Sequence, residues 1–116
     1  MSNVKQHIEH LNQLVLQGKA LEAFEKYYDD EVVMQENNLA PTDGKEANRL
    51  REIDFYNSID ARSAEILGTT YGDDISAVIW KYDYTHKDWG VRDYTQVSVQ
   101  YWKNGKIVKE QFFYGN

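Results

Sequence analysis

The chain has no cysteine, a single proline and no cluster of lysine or arginine. The first absence rules out disulfides, thiolate metal sites and cysteine nucleophiles. The lack of a basic patch, together with a net charge of −6, argues against nucleic acid, whose phosphates demand concentrated positive charge. No apolar run reaches the roughly 18 residues of a membrane span, and the amino terminus lacks the basic and apolar regions of a signal peptide. The expectation is a cytoplasmic protein that meets neither membrane nor nucleic acid.

Aromatic side chains, by contrast, are abundant: nine Tyr, three Trp and four Phe, most of them from Phe55 onward. Such an excess serves a core, an interface or the lining of a pocket. The 116 residues make one domain, 1–116, large enough to bury a core without covalent staples.

Along the chain the apolar period changes once. Asn3 can cap a first helix in which Ile8, Leu11, Leu14 and Val15 share a face, and Gly18 supplies its stop. Leu21, Phe24 and Tyr28 continue as a second helix, ended by Asp29-Asp30-Glu31, which read as a turn because acids at a helix carboxyl end oppose its dipole. Val32 to Glu36 read as a short strand. The segment 37–44 holds Pro41 and is a loop, and Thr42 or Asp43 is the expected cap of a third helix reaching Ser58 with Ala47, Leu50, Ile53 and Phe55. Four β runs follow, near 62–71, 75–87, 91–103 and 106–114. Helices first and a meander afterwards predict an α+β domain, with three amino-terminal helices packed on one face of a strongly curved antiparallel sheet.

The strongest local signal is Asn104-Gly105 between β-rich runs, the composition of a type I′ hairpin turn. Counting from that turn sets Tyr101 opposite Val108, Val99 opposite Glu110 and Val97 opposite Phe112. One face then carries Thr95, Val97, Val99 and Tyr101 with Val108, Glu110, Phe112 and Tyr114, and as the more apolar face it is expected to meet the helices. With Asp88 and Trp89 as the loop of the preceding hairpin, Val78, Trp80, Tyr82, Tyr84, His86 and Asp93 join it. Glu110 is then a carboxylate within an apolar face, which must be paired, neutralised or open to a solvated pocket. Glu36, alternating with Met34, poses the same question.

These stretches carry a resemblance. Leu14 to Phe24, Tyr28 to Met34, Asp43 to Ala47 and Asn104 to Glu110, in that order and spacing, resemble the nuclear transport factor 2-like superfamily, and within it the SnoaL-like polyketide cyclase and ketosteroid isomerase branch. The resemblance implies a cone, a bent sheet wrapped on three helices around a pocket open at one end, and a homodimer formed through the outer sheet face. It also implies a pocket acid or base at the end of the first strand, at Glu36 or Gln35, and a polar pocket residue at Glu110.

The candidate catalytic residues are therefore Glu110, Glu36 and Asp93, and the candidate ligand-binding residues Trp80, Tyr82, Tyr84, Phe112, Tyr114 and Phe55. Against a pocket role, Glu110 can be a structural carboxylate bonded to Arg or Tyr, Glu36 a solvated strand end, and Asp93 a rim partner of Arg92 or Lys87. His7 and His10 lack a third ligand for a metal, and no metal or cofactor is expected. The expected partners are a small apolar ligand and a second copy of the chain, the latter on an outer face bearing Ile79, Tyr94, Trp102, Ile107 and Phe113. Two functions stay open: an acid–base catalyst on a small carbonyl compound, or a ligand-binding or accessory domain without chemistry.

Overall fold

The computed structural model describes residues 3–115, of which Ala61 and Arg62 are described by their backbone only. Helix α1 (Val4–Leu16) buries Val4, Ile8, Leu11 and Leu14, the spacing of one helical face. Gly18, at φ +78°, ends it: the Gly18 N–H donates to the Val15 carbonyl at 3.1 Å and the Lys19 N–H to the Leu14 carbonyl at 2.8 Å, the paired bonds of a Schellman motif. Asn3 occupies the N-cap position without a side-chain cap bond. Helix α2 (Ala20–Tyr27) buries Ala23, Phe24 and Tyr27. Strand β1 (Tyr28–Glu36) follows with no turn between, so Asp29, Asp30 and Glu31 lie in the strand. They fill the irregularity where pairing with the last strand passes from Tyr28↔Ile107 to Val33↔Lys109.

Thr42 and Asp43 are not the cap of the third helix. They form a two-residue strand, β2 (Thr42–Asp43), paired with Met34 and Val33, and Gly44 at φ +93° leads into α3 (Lys45–Asn57). Of the expected apolar stripe of α3 only Phe55 points inward: Ala47, Leu50 and Ile53 are exposed, and Asn48, Glu52 and Tyr56 point inward beside Phe55. Buried Asn48 donates from Nδ2 to the Thr42 and Gly44 carbonyls at 3.0 and 2.8 Å, which fastens the start of α3 to the sheet edge.

Strands β3 (Ile59–Tyr71), β4 (Ile75–His86), β5 (Gly90–Lys103) and β6 (Lys106–Tyr114) complete one sheet of order β2-β1-β6-β5-β4-β3. The sheet is strongly curled into a half-barrel. It is mixed rather than wholly antiparallel, because β1 runs parallel to β6. The core joins Ile8, Leu11 and Leu14 of α1 and Phe24 and Tyr27 of α2 to Val78, Trp80, Trp102 and Ile107 of the sheet.

Both hairpins differ from the expected register by one residue, with opposite consequences. At the first, Lys87, Asp88 and Trp89 form a three-residue loop closed by Gly90 at φ +77°, and His86 pairs with Gly90, Tyr84 with Arg92, and Tyr82 with Tyr94. At the second, Asn104 (φ +54°) and Gly105 (φ +78°) make the expected turn and Trp102 pairs with Ile107, but Val108 is left over as a bulge. Beyond it Tyr101 stands opposite Lys109, Gln100 opposite Glu110 and Ser98 opposite Phe112. The inner face of β5 is therefore Tyr94, Gln96, Ser98, Gln100 and Trp102, the set expected outside. Trp102 and Ile107 are core residues, and only Ile79 and Phe113 of the five expected outer residues stand exposed on that face. Asp93 is corrected too: it lies opposite Asp83 on the exposed face and pairs with Lys81. On β4 the alternation holds, with Val78, Trp80, Tyr84 and His86 buried and Tyr82 on the same face.

Candidate functional site

The curl of the sheet and the inward face of α3 enclose a cavity of about 680 Å³, open on one side. Its position follows from hydrogen bonds at two residues, Asn37 and Ser58. Asn37, in the left-handed region at φ +50°, receives the Tyr114 N–H on Oδ1 at 3.0 Å and donates its own N–H to the Phe112 carbonyl at 2.7 Å, so the end of β1 is held against β6. At the far end of α3, Ser58 Oγ donates to the Asp54 carbonyl at 2.7 Å and the Ser58 carbonyl accepts from the Lys87 N–H at 2.8 Å. The β4–β5 hairpin is thereby fixed over Phe55.

Six expected residues line this cavity: Glu36, Phe55, Tyr82, Tyr84, Phe112 and Tyr114. Glu36, at the end of β1, is one of its three lining carboxylates. It accepts from the Tyr114 phenol on Oε1 and from Arg51 Nη2 on Oε2, each at 3.0 Å, and Arg51 Nη1 also donates to Thr42 Oγ1 at 2.7 Å. Burial and the neighbouring Glu36 carboxylate push the Tyr114 phenol up to about 12, so it stays protonated and serves as a donor. Further along the wall the hydroxyls of Tyr84 and Tyr94 are 2.9 Å apart, and burial followed by that bond raises Tyr94 well above the usual phenol range. Tyr94 packs on Tyr114 with ring centroids 5.4 Å apart, and Tyr84 meets Phe55 edge-on at 5.3 Å.

At the mouth, His86 Nδ1 accepts the backbone N–H groups of Asp88 and Trp89 at 3.1 and 3.3 Å, which leaves the proton of a neutral imidazole on Nε2. The Trp89 indole stacks on the His86 ring at 3.7 Å.

The other candidates lie elsewhere. Asp93 is on the outer face. Trp80 is in the core, stacked on Tyr82 at 5.5 Å, and does not line the cavity. Glu110 also lies outside the lining, in a buried network. The Tyr28 phenol donates to Glu110 Oε1, and Gln100 Nε2 donates to Oε2 at 2.7 Å. Ser76 Oγ donates to Gln100 Oε1 at 2.7 Å and accepts from Trp102 Nε1 at 2.9 Å. Burial pushes the Glu110 carboxyl up to about 7, against the lowering effect of the two donors. His10 Nδ1 is 2.5 Å from the Tyr27 hydroxyl and His7 stacks on Trp102, and no group of three metal-ligating side chains occurs among the described residues.

Arg51, Arg92, Trp89, Tyr94 and Gln96 line the cavity without having been expected there. Arg51 lies one helical turn beyond Asn48 and Arg92 directly opposite Tyr84, so correct faces for α3 and β5 are the signal that would have found them.

A SnoaL-like domain model matches residues 2–114. The chain belongs to the SnoaL-like domain family. A Mesorhizobium loti protein provisionally termed a SnoaL-like polyketide cyclase (carbohydrate phosphatase) superimposes with a TM-score of 0.87 at 28% identity, over 97% of this chain and 99% of that one. A Jannaschia protein given the same provisional cyclase name has a TM-score of 0.80 at 10% identity, over 95% and 85% of the two chains. A Mycobacterium tuberculosis LEH-like epoxide hydrolase has a TM-score of 0.76 at 9% identity, over 95% and 80%. No curated protein matches the sequence. At such low identities the last two structures share the fold of this SnoaL-like domain, and the fold hosts many chemistries.

Proposed function

We propose that this SnoaL-like domain is a small-molecule pocket protein that binds a compact, ring-bearing compound with a carbonyl or hydroxyl group. The observation that carries this reading is the cavity itself: its volume suits a small organic molecule, and apolar rings alternate on its wall with a few oriented polar groups. Phe55, Tyr82 and Phe112 supply the apolar contact, and the phenols of Tyr84 and Tyr94 present an O–H to a ligand oxygen. The test is native mass spectrometry of freshly purified protein, followed by extraction. A stoichiometric ring-bearing compound, displaced by added aromatic ligands, is the expected result; a cavity that takes up no small molecule under either condition overturns the reading.

Acid–base catalysis is the second reading, favoured by Glu36. A carboxylate on the cavity wall, oriented by Arg51 and Tyr114, is placed to take a proton from the carbon beside a carbonyl. The electron pair left on carbon passes to the carbonyl oxygen, where a phenol donor stabilises it; in a β,γ-unsaturated substrate, return of the proton to the far carbon of the double bond, which shifts into conjugation, completes an isomerisation. The cyclase and hydrolase names of the structural relatives are compatible with such chemistry. Exchange of substrate protons for deuterium in heavy water, seen by NMR, separates this reading from binding alone.

A further inference from the structure

Hydrogen-bond supply at one end of the cavity exceeds demand. Arg92 and Tyr84 are directly opposed on β5 and β4, and both face inward. The Arg92 guanidinium lies over the Tyr94 ring at 5.8 Å, and it has neither a hydrogen bond nor an ion pair among the described residues. It is half-buried, so leaving it without an acceptor costs more than it would at an exposed site. Beside it, Tyr84 and Tyr94 carry two phenol protons but share one hydrogen bond, so one O–H has no acceptor among the described residues although Tyr84 is only 4% exposed. The other cavity arginine differs, because both its terminal nitrogens are occupied by Glu36 and Thr42.

A guanidinium and a spare phenol proton, with no acceptor to meet them, select a ligand oxygen that accepts two bonds and carries negative charge. We infer that the Arg92 end of the cavity is a carboxylate subsite, and that the ligand is a monoanionic organic acid whose carboxylate meets Arg92 and the Tyr84–Tyr94 pair while its apolar body lies against Phe55 and Tyr82. A single charge is preferred because Glu36, Glu52 and Asp54 line the same cavity and would repel a dianion such as a phosphate monoester. The inference rests on the pocket reading above and gives it a substrate class.

Titration calorimetry with benzoic, phenylacetic, 2-naphthoic and decanoic acids, their neutral amides and phenyl phosphate tests it near neutral pH and at low salt. At least one acid is expected to bind about tenfold or more tightly than its amide, the scale of one charge-assisted bond. That ratio is expected to fall towards one in Arg92→Gln, to be only partly kept in Arg92→Lys, which preserves charge but not the fork, and to narrow in Tyr84→Phe. Circular dichroism melts of each variant verify that the fold persists. Equal affinity for acids and amides overturns the carboxylate subsite while leaving the pocket reading intact. Tighter binding of phenyl phosphate overturns the single-charge assignment. Binding of no member of the panel overturns the subsite, and the pocket reading falls with it only where native mass spectrometry also finds no bound small molecule.

Discussion

Gln100 stands directly opposite Glu110 across β5 and β6 and donates to its Oε2 at 2.7 Å, inside a core that leaves Glu110 3% exposed. With Tyr28 on the other oxygen, the carboxyl joins three strands at one point: β1 through Tyr28, β5 through Gln100, and β4 through Ser76 behind it. Such a network is costly if any member loses its partner.

The first consequence concerns pH. Burial raises the Glu110 carboxyl to about 7 in the folded chain from an ordinary 4.5, so between those values the native state holds a proton that the unfolded chain has released. The corresponding stability is fully present below 4.5 and is lost as the pH rises through about 7, amounting to about 3 kcal/mol. Glu25, lowered by its bond to Arg49, has the opposite sign, but its effect falls below pH 4.5, outside this window. Urea denaturation midpoints should therefore decline from pH 5 to pH 8 in the native sequence and stay nearly level in Glu110→Gln. A native profile that stays level over the interval would mean that Glu110 is already ionised in the core.

Ser76→Ala isolates the far end of the network. Removing the hydroxyl leaves Trp102 Nε1 without an acceptor and Gln100 Oε1 without a donor, both buried. Two unsatisfied buried groups cost roughly 2–4 kcal/mol together. Chemical denaturation should show a loss of that size, whereas Ser63→Ala on the neighbouring strand, outside this network, should stay within roughly 0.5 kcal/mol.

The network also explains which parts of the fold were legible. Helix α1 and the inner face of β4 follow the rule that apolar residues point inward, and the Gly18 stop and Asn104-Gly105 turn were legible because their positive φ favours those residues. The inward rule fails on β5 and α3 for a shared reason: the interior of this half-barrel is part cavity and part polar network. Gln96, Ser98, Gln100, Asn48 and Glu52 therefore face inward, while Val97, Val99, Leu50 and Ile53 face outward. The bulge at Val108 compounds the error on β5 yet rescues β6, since the extra residue returns Glu110, Phe112 and Tyr114 to the inner face. Neither a bulge nor a polar interior has a composition signal as plain as Asn-Gly. For the site, the aromatic wall and Glu36 were readable from alternation and resemblance. Arg51 and Arg92 were not, because each sits on an element whose face was inverted.

Glu36→Gln and Tyr114→Phe separate chemistry from stability. Both partners in the Arg51–Glu36 pair are well exposed, with side-chain accessibilities of 56% and 41%, so breaking it should cost less than about 1 kcal/mol. If Glu36 moves a proton, Glu36→Gln should slow deuterium exchange into a bound carbonyl ligand by about a hundredfold or more. Tyr114→Phe keeps the carboxylate but removes one orienting donor, and a smaller loss is expected. Unchanged exchange in Glu36→Gln would leave binding as the function.

The outer sheet face raises the question of a second copy. Ile79, Val97 and Phe113 are direct cross-strand neighbours on β4, β5 and β6, and Ile75 and Tyr101 form a further pair on the same side. Ile79, Phe113, Ile75 and Tyr101 are all classed as exposed, so water meets a contiguous apolar row running across the strands. Self-association through this row covers it without requiring a new partner, and a two-fold arrangement lets one patch serve both chains. The homodimer expected from the resemblance is thus proposed on a revised set of residues, with Ile75, Val97 and Tyr101 in place of Tyr94, Trp102 and Ile107. Light scattering should give twice the 13.6 kDa chain mass at micromolar concentration. Phe113→Lys should return it to the single-chain mass, with little change in the fold of one copy because Phe113 contributes little to the core. A native protein that scatters as a single chain would remove the dimer and leave the row as ordinary exposed surface.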